Sequence, residues 1–167
     1  VGIRVVVVHG GGKAISRELA KRNVEPVFVD GLRVTDAETL SVVRNVLDGE
    51  VNREVCERIA SRHGLAEGLS GAEVLRCVPM PGREDLGRVG EITGVEKALV
   101  NAALDDGRVP VISCLASAKE GQVYNTNADT AAARVAVALE ARRLVYLSDV
   151  PGLLRDPQDG DTLISTL

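Results

Sequence analysis

Three short stretches of the chain combine residue types that bind phosphate and carboxylate groups. Residues 9–12 are rich in glycine, residues 124–129 carry two amides and a carboxylate, and residues 148–152 carry Asp149 before a Pro-Gly pair. Each stretch follows a run that predicts a strand. Ligands of parallel sheets bind beyond the carboxyl ends of the strands, so these three loops predict one shared cleft that handles phosphate.

The first loop lies between four consecutive valines and a helical pattern. Residues 5–8 are β-branched and predict a strand buried on both faces. Ile15 and Leu19 lie one turn apart on a helix predicted at residues 14–22. This strand, turn and helix would aim the backbone N–H groups of Gly11 and Gly12 at an anion. A tight turn that binds nothing explains the pattern equally well.

Two common phosphate-binding motifs do not fit this loop. A Walker A loop requires Ser or Thr after Gly-Lys, but Ala14 follows Lys13, and Val7 stands at the position of the first glycine. A dinucleotide-binding fingerprint requires a third glycine where the chain has Ile15. Any phosphate binding by this loop must therefore use a different arrangement.

Side chains outside the glycine loop are further candidates, and each has a structural alternative. Arg33 can clamp a carboxylate with two N–H groups, or it is a solvated surface residue. Asn125 and Asn127 can orient a carbonyl group, and Asp129 can position a lysine or a metal ion near phosphates. Capping of the next helix by Asn127 or Asp129 is the alternative for this motif.

Three more residues of these loops each have a functional and a structural interpretation. His9 is either catalytic or a packed, hydrogen-bonded histidine. Lys13 follows the glycines and is best explained as an exposed residue of the first helical turn. Asp149 either faces the sugar or phosphates of a nucleotide or is a turn residue before Pro-Gly.

The composition restricts the class of protein. The net charge of −4 and the 2% of aromatic residues disfavour a nucleic-acid-binding surface. Cys56, Cys77 and Cys114 are widely spaced and odd in number, which indicates a reducing, cytoplasmic location rather than a disulfide framework. No metal-ligand spacing and no stretch long and apolar enough to span a membrane is visible in the sequence.

The elements that position these loops alternate between strands and helices, which predicts an α/β fold with a mainly parallel sheet. Thr35 and Glu38 form a capping box at the start of a long helix that ends near residue 63. Helices are also predicted at residues 96–105, with Leu99 on the buried side, and at 129–139, buried all round. Residues 68–71 are predicted as a loop and 144–147 as a buried strand.

Five stretches in this order resemble the amino acid kinase family: residues 5–12, 29–36, 87–91, 124–129 and 147–152. The loop at residues 31–35, together with the Asn-x-Asn-Ala-Asp motif at 125–129, is most similar to the branch that acts on N-acetyl-L-glutamate. The resemblance implies a three-layer αβα sandwich and a cytoplasmic enzyme of arginine biosynthesis. It would transfer the γ-phosphoryl of ATP to the side-chain carboxylate, with Mg²⁺ held mainly by the nucleotide phosphates, and would form a homodimer or larger homo-oligomer.

The resemblance also implies roles for single residues. Gly11 and Gly12 would hold the substrate carboxylate and the phosphoryl group during transfer, and Arg33 would bind the substrate α-carboxylate. Asn125, with Asn127 beside it, would contact the acetylated substrate. Asp129 would orient two catalytic lysines. The nucleotide would bind to the loop formed by Asp149, Val150, Pro151, Gly152, Leu153 and Leu154.

The chain departs from the family in its lysines. Its four lysines, Lys13, Lys21, Lys97 and Lys119, match neither catalytic lysine of the family, whose motifs would precede residue 1 and follow residue 167. We therefore expect an incomplete single domain, with a substrate lobe at about 1–140 and the start of a nucleotide lobe at 141–167. Alone, it should be a poor catalyst. The alternatives are another carboxylate or carbamate kinase of the family, or a ligand-binding module without catalytic activity.

Overall fold

Strands and helices alternate along the chain, as the apolar pattern predicts. The computed structural model describes residues 2–147, 152, 154–156 and 159–164. Its elements are β1 (Val7–His9), α1 (Gly12–Lys21), β2 (Phe28–Val29), β3 (Leu32–Arg33), α2 (Ala37–Arg44), a π-helical segment (Asn45–Val51), α3 (Asn52–Ala60), β4 (Ala66–Leu69), α4 (Gly71–Val74), β5 (Leu75–Pro79), β6 (Gly90–Val95), α5 (Lys97–Asp105), β7 (Val109–Ser113), β8 (Leu115–Ser117), β9 (Val123–Asn125) and α6 (Ala128–Ala138), with 3₁₀ turns at Glu84–Leu86, Lys119–Gly121 and Gly160–Thr162.

A parallel sheet of order β1-β7-β4 carries the glycine loop. His9 at the end of β1 pairs with Ser113 at the end of β7, and β4 pairs with the other edge of β7. A second, mixed sheet has the order β6-β5-β8-β9, and β2 and β3 form a separate hairpin. Helices α3 and α5 pack on β7, and α6 packs on β1 and β6. The α/β fold class with a parallel central sheet is confirmed.

The core consists mainly of aliphatic side chains, as the scarcity of aromatic residues requires. Its largest fully buried members are Leu19, Leu47, Leu75, Leu86, Ile92, Ile112 and Leu115. Each contributes roughly 1.5–3 kcal/mol of transfer free energy. None of the helices in the described residues is long and apolar enough to cross a membrane.

The long helix begins differently from the prediction. Asp36, not Thr35, is the N-cap residue of α2, since its carboxylate accepts a hydrogen bond from the Thr39 N–H at 2.7 Å. The Thr35 hydroxyl instead donates to the Arg33 carbonyl at 2.7 Å and is buried. Asp36 is as good a cap as threonine and lies one residue closer to the helix, so the predicted capping box is wrong.

The same helix contains a π-helical turn where the sequence has Gly49. The segment Asn45–Val51 separates α2 from α3 without interrupting the helical path. Gly49 has no atom within 4 Å of the position of a Cβ, so close packing does not explain it. Single π-helical turns are rare and frequently lie at functional sites.

Three predictions of burial are wrong for the described residues. The valine strand lies at the edge of its sheet, and Val5 is exposed. Helix α6 buries only Ala131 and Val135, and Val137 is 77% exposed, since only one face of the helix meets the sheet. Residues 144–147 are exposed and form no strand, and Leu147 is 96% exposed.

Two further predictions need correction. Helix α5 buries Val100 and Ala103 rather than Leu99, which is 42% exposed, because the buried face is rotated by one residue. Residues 68–71 are not a simple loop, since β4 extends to Leu69 and α4 begins at Gly71. The small residues of this stretch did not predict a strand, but β4 forms one by parallel pairing with β7.

Candidate active site

The glycine loop connects β1 to α1 as predicted. Gly11 is the N-cap residue of α1, and its carbonyl accepts the first helical hydrogen bond, from Ile15 N–H, at 2.9 Å. The first turn of this helix contains no acidic residue, so no carboxylate side chain of that turn competes with an anion for the positive end of the helix dipole. The geometry suits a carboxylate or phosphoryl group.

Packing requires glycine at one position of this loop. A Cβ at Gly11 would lie 2.8 Å from Leu47 Cδ2, whereas a Cβ at Gly12 would have no atom within 4 Å. We therefore expect Gly11→Ala to lower the free energy of unfolding by about 1–3 kcal/mol, because Leu47 must move, and Gly12→Ala to leave it nearly unchanged. Urea denaturation of the two variants measures the difference. Equal stability would contradict the close approach.

Arg33 is a buried side chain beside the glycine loop, not a solvated surface residue. Only 6% of it is exposed. One terminal nitrogen, Nη2, donates to the Gly12 carbonyl at 3.1 Å and to Ser16 Oγ at 2.9 Å. The other terminal nitrogen, Nη1, is buried and has no hydrogen-bond partner among the described residues. An unsatisfied buried N–H group of a cation is costly, and a carboxylate or phosphate would satisfy it.

The surroundings hold the Arg33 guanidinium in one orientation. Its central carbon lies 4.6 Å from the centroid of the Phe28 ring on the neighbouring strand, which is a cation–π distance. Burial lowers the pKa of Arg33 from its ordinary value, since the charged form loses water. A bound anion would restore the lost solvation.

The second predicted loop lies beside the first. A Cβ at Gly10 would be 3.2 Å from the Ala128 Cβ, so the glycine loop touches the start of α6. Asn125 Nδ2 donates to the Thr35 hydroxyl at 3.3 Å, which connects the end of β9 to the end of β3. The structure therefore brings Gly10, Arg33 and Asn125 together from separate parts of the chain.

The amide and carboxylate that begin α6 have different tasks. Asn127 is the N-cap residue, and its side-chain oxygen accepts a hydrogen bond from the Thr130 N–H at 2.9 Å. Capping thus occupies the oxygen of Asn127 and leaves its Nδ2 group for a ligand. The Asp129 carboxylate is exposed and has no hydrogen-bond partner among the described residues. Its charge is therefore not consumed by capping.

Most of the third predicted loop lies outside the described residues. The residues of this loop that the structure does not describe include Asp149, Val150, Pro151 and Leu153. Gly152 and Leu154 are described, and Leu154 forms an isolated bridge with Leu163. Just before this loop, the Tyr146 hydroxyl donates to the Asp129 carbonyl at 3.2 Å. This contact places residue 146 near the second loop.

The whole chain matches one protein family. A sequence model of the amino acid kinase family matches residues 1–167. The chain belongs to the amino acid kinase family. Among curated relatives, it is 47% identical to acetylglutamate kinase of Clostridium kluyveri and 48% identical to acetylglutamate kinase of Thermosynechococcus vestitus. Both alignments cover all of this chain but only 60% and 57% of the relatives, so the chain spans about three fifths of their length.

Two solved structures have a similar fold. The chain is 30% identical to smu.665 of Streptococcus mutans, with a TM-score of 0.85, over 90% of this chain and 62% of that one. It also matches N-acetylglutamate synthase of Neisseria gonorrhoeae, solved with coenzyme A and L-arginine. That match has 29% identity and a TM-score of 0.65, and it covers 94% of this chain and 38% of the synthase.

Several polar residues of this family member were not predicted from the sequence. Ser16 binds Arg33, and Thr35 binds Asn125. Asn52 is a buried amide on α3, the helix that packs against β4 and β7. The one available signal is Asn52, a polar residue on the face of α3 that meets the sheet. Ser16 and Thr35 give no such signal, because a hydroxyl suits the surface equally well.

Proposed function

We propose that the full-length protein phosphorylates the side-chain carboxylate of N-acetyl-L-glutamate with ATP, a step of arginine biosynthesis. The observation that carries this proposal is the buried Arg33 guanidinium, whose Nη1 group lacks a partner beside the glycine loop. The Nη1 group carries N–H donors that a carboxylate can accept, and the opposite charges strengthen these hydrogen bonds. In the proposal this carboxylate is the α-carboxylate of the substrate.

The remaining contacts follow from the positions of the loops. With its α-carboxylate at Arg33, the substrate lies between the glycine loop and the end of β9, so Asn125 and the Nδ2 group of Asn127 face its acetamido group. The side-chain carboxylate then reaches the N–H groups of Gly11 and Gly12 at the start of α1. These N–H groups stabilise the negative charge that moves onto the oxygens during transfer.

Asp129 supplies a fixed negative charge at the same end of the cleft. We propose that it orients lysines that neutralise the transferring phosphoryl group, as the family resemblance implies. The nucleotide is assigned to Asp149, Val150, Pro151, Gly152, Leu153 and Leu154. Within the described residues, no group of three or more His, Cys, Asp or Glu side chains could hold a metal ion. As the family resemblance implies, we assign Mg²⁺ mainly to the phosphates of the nucleotide.

The relatives support the same function for the whole protein. We propose that residues 1–140 belong to the substrate lobe and residues 141–167 to the start of the nucleotide lobe. The kinases of C. kluyveri and T. vestitus share nearly half of their aligned residues with this chain. We further propose a cytoplasmic location, since Cys56, Cys77 and Cys114 are all free.

The function is tested by mixing the full-length protein with Mg-ATP and N-acetyl-L-glutamate and following ADP release. Hydroxylamine traps an acyl phosphate as a hydroxamate, which identifies the carboxylate as the acceptor. We expect both ADP and hydroxamate to form with N-acetyl-L-glutamate and neither with N-acetyl-L-glutamine, which lacks the acceptor carboxylate. Activity only with carbamate or with free L-aspartate would assign the protein to another branch of the family.

A ligand-binding module is the second candidate, because the chain also matches 38% of an N-acetylglutamate synthase that was solved with L-arginine. In such a module the site would bind its ligand without phosphoryl transfer. Calorimetry separates the two functions: tight L-arginine binding with no ADP release would favour the module. Binding of N-acetyl-L-glutamate together with turnover would favour the kinase.

We also propose that the protein forms a homodimer through the outer face of α2 and α3. Val55 and Ile59 are only half-buried and lie outside the main core cluster, although they continue its apolar stripe. Sedimentation at micromolar concentration should show a dimer, and Val55→Asp should shift it to the monomer. A wild-type monomer would assign this stripe to the interior of one subunit.

A further inference from the structure

We propose that His9 is a positioning residue, whose neutral imidazole fixes the Gly10–Gly11 peptide so that the Gly11 N–H group points into the anion site. The inference builds on the proposed function of the glycine loop. It assigns His9 neither contact with substrate nor transfer of a proton. In this role His9 does more than fill space in the core.

His9 is hydrogen-bonded to the loop that follows it. His9 Nδ1 lies 3.0 Å from the Gly10 carbonyl oxygen. A carbonyl oxygen only accepts hydrogen bonds, so Nδ1 must carry the proton and donate it. The Gly10 C=O and the Gly11 N–H belong to one planar trans peptide and point in opposite directions. Holding the carbonyl on one side therefore aims the N–H to the other side.

The other ring nitrogen of His9 has Asn52 as its partner. Asn52 Nδ2 lies 2.8 Å from the Val111 carbonyl oxygen and 3.1 Å from His9 Nε2. An amide nitrogen has two hydrogens, and each has one acceptor here. His9 Nε2 must then be unprotonated and accept. The reversed orientation of Asn52 would place its oxygen against the Val111 carbonyl, so the bond to Val111 settles which atom is nitrogen.

The oxygen of the same amide is also occupied. Cys56 Sγ donates to Asn52 Oδ1 at 3.8 Å. A Cβ at Gly68 would overlap this oxygen, so β4 packs directly against the Asn52 side chain. The Asn52 amide therefore stabilises the His9 tautomer that carries its proton on Nδ1. It disfavours a proton on Nε2, which would meet the N–H of Asn52.

The surroundings keep the ring neutral. His9 is buried at the end of β1, and this burial lowers the pKa of the imidazole below its ordinary value. The bond to Gly10 and the charge of Asp48, on the π-helical segment, act in the opposite direction but do not reverse the shift. The Cys56 thiol faces the network from α3 through Asn52. At neutral pH the ring therefore holds one proton, on the side of Gly10.

Two substitutions separate the two ring nitrogens. The amide nitrogen of asparagine can take the place of Nδ1 and donate to the Gly10 carbonyl, whereas glutamine reaches toward Asn52 and leaves the Gly10 carbonyl free. We expect His9→Asn to keep the affinity for N-acetyl-L-glutamate within about threefold and His9→Gln to weaken it by about tenfold or more, the usual size of one hydrogen bond to a charged group. Calorimetry on the full-length protein measures both.

A purely structural role predicts the reverse, since glutamine is closer to histidine in volume and keeps the bond to Asn52. Equal losses in both variants, or a larger loss in His9→Asn, would overturn the positioning role. Thermal unfolding of both variants controls for stability. Should His9→Asn fail to fold, the ¹⁵N resonances of the wild-type imidazole decide alone: a proton on Nδ1 supports the inference, and a proton on Nε2 overturns it.

This spectroscopic measurement also keeps the inference separate from the proposed function. If the wild-type protein does not bind N-acetyl-L-glutamate, the proposed function fails, but the tautomer of His9 and the Gly11 amide resonance can still be measured. We expect the Gly11 resonance to move in His9→Gln and to remain near its wild-type position in His9→Asn. A Gly11 resonance that moves equally in both variants would overturn the positioning role without any ligand.

Discussion

Replacement of Asp129 by asparagine is expected to lower kcat of the full-length protein by about a hundredfold or more. The substitution keeps the shape of the side chain and removes only its charge. The Asp129 carboxylate is exposed and unpaired among the described residues, and Asn127 already caps α6. Stability should therefore stay within about 1 kcal/mol of wild type. Steady-state kinetics and thermal unfolding measure the two quantities.

A matched variant shows whether the effect depends on position. Asp105→Asn also removes one exposed carboxylate, which pairs with Arg4 at the end of α5. This surface ion pair is worth less than about 1 kcal/mol, and we expect kcat to be unchanged. If Asp129→Asn instead unfolds the protein and the folded fraction keeps its kcat, Asp129 is structural and its catalytic assignment is wrong.

Replacement of Arg33 by lysine is expected to raise KM for N-acetyl-L-glutamate by about tenfold to a hundredfold, with a much smaller effect on KM for ATP. Lysine keeps the charge, but its three N–H groups share one nitrogen. That nitrogen cannot bind the Gly12 carbonyl and Ser16 and also stand at the position of Nη1. The loss corresponds to one hydrogen bond between charged groups, about 1.5–3 kcal/mol.

Arg58→Lys is the control for this experiment. Arg58 lies on the surface of α3, where it pairs with Glu54, and we expect both KM values to be unchanged. If Arg33→Lys raises KM for ATP as much as KM for N-acetyl-L-glutamate, Arg33 does not belong to the substrate site.

The sequence predicted the parts of the site that local patterns determine. Three glycines between a strand and a helix predicted the loop that connects β1 to α1, and alternating patterns predicted the α/β class. Asn127 was recognised as a possible cap, and it does cap α6. These features depend on neighbours within a few residues, so the order of residues along the chain is sufficient to find them.

The features that the sequence did not reveal depend on contacts between distant residues. Burial of Arg33 requires Ser16, Phe28 and the Gly12 carbonyl to surround it. The bond between His9 and Asn52 joins residues from a strand and a helix. Burial of α6 was predicted wrongly for the same reason, because an alanine-rich helix does not indicate which of its faces has a neighbour.

The central claim is that Arg33 binds the α-carboxylate of the substrate, and a cycle of ligand and protein changes tests it most directly. Calorimetry compares N-acetyl-L-glutamate with N-acetyl-L-isoglutamine, whose α-carboxylate is an uncharged amide, in the wild-type protein and in Arg33→Lys. We predict that the wild-type protein binds N-acetyl-L-glutamate at least about tenfold more tightly than N-acetyl-L-isoglutamine. Arg33→Lys should lose most of this preference. The same preference in both proteins would contradict the claim.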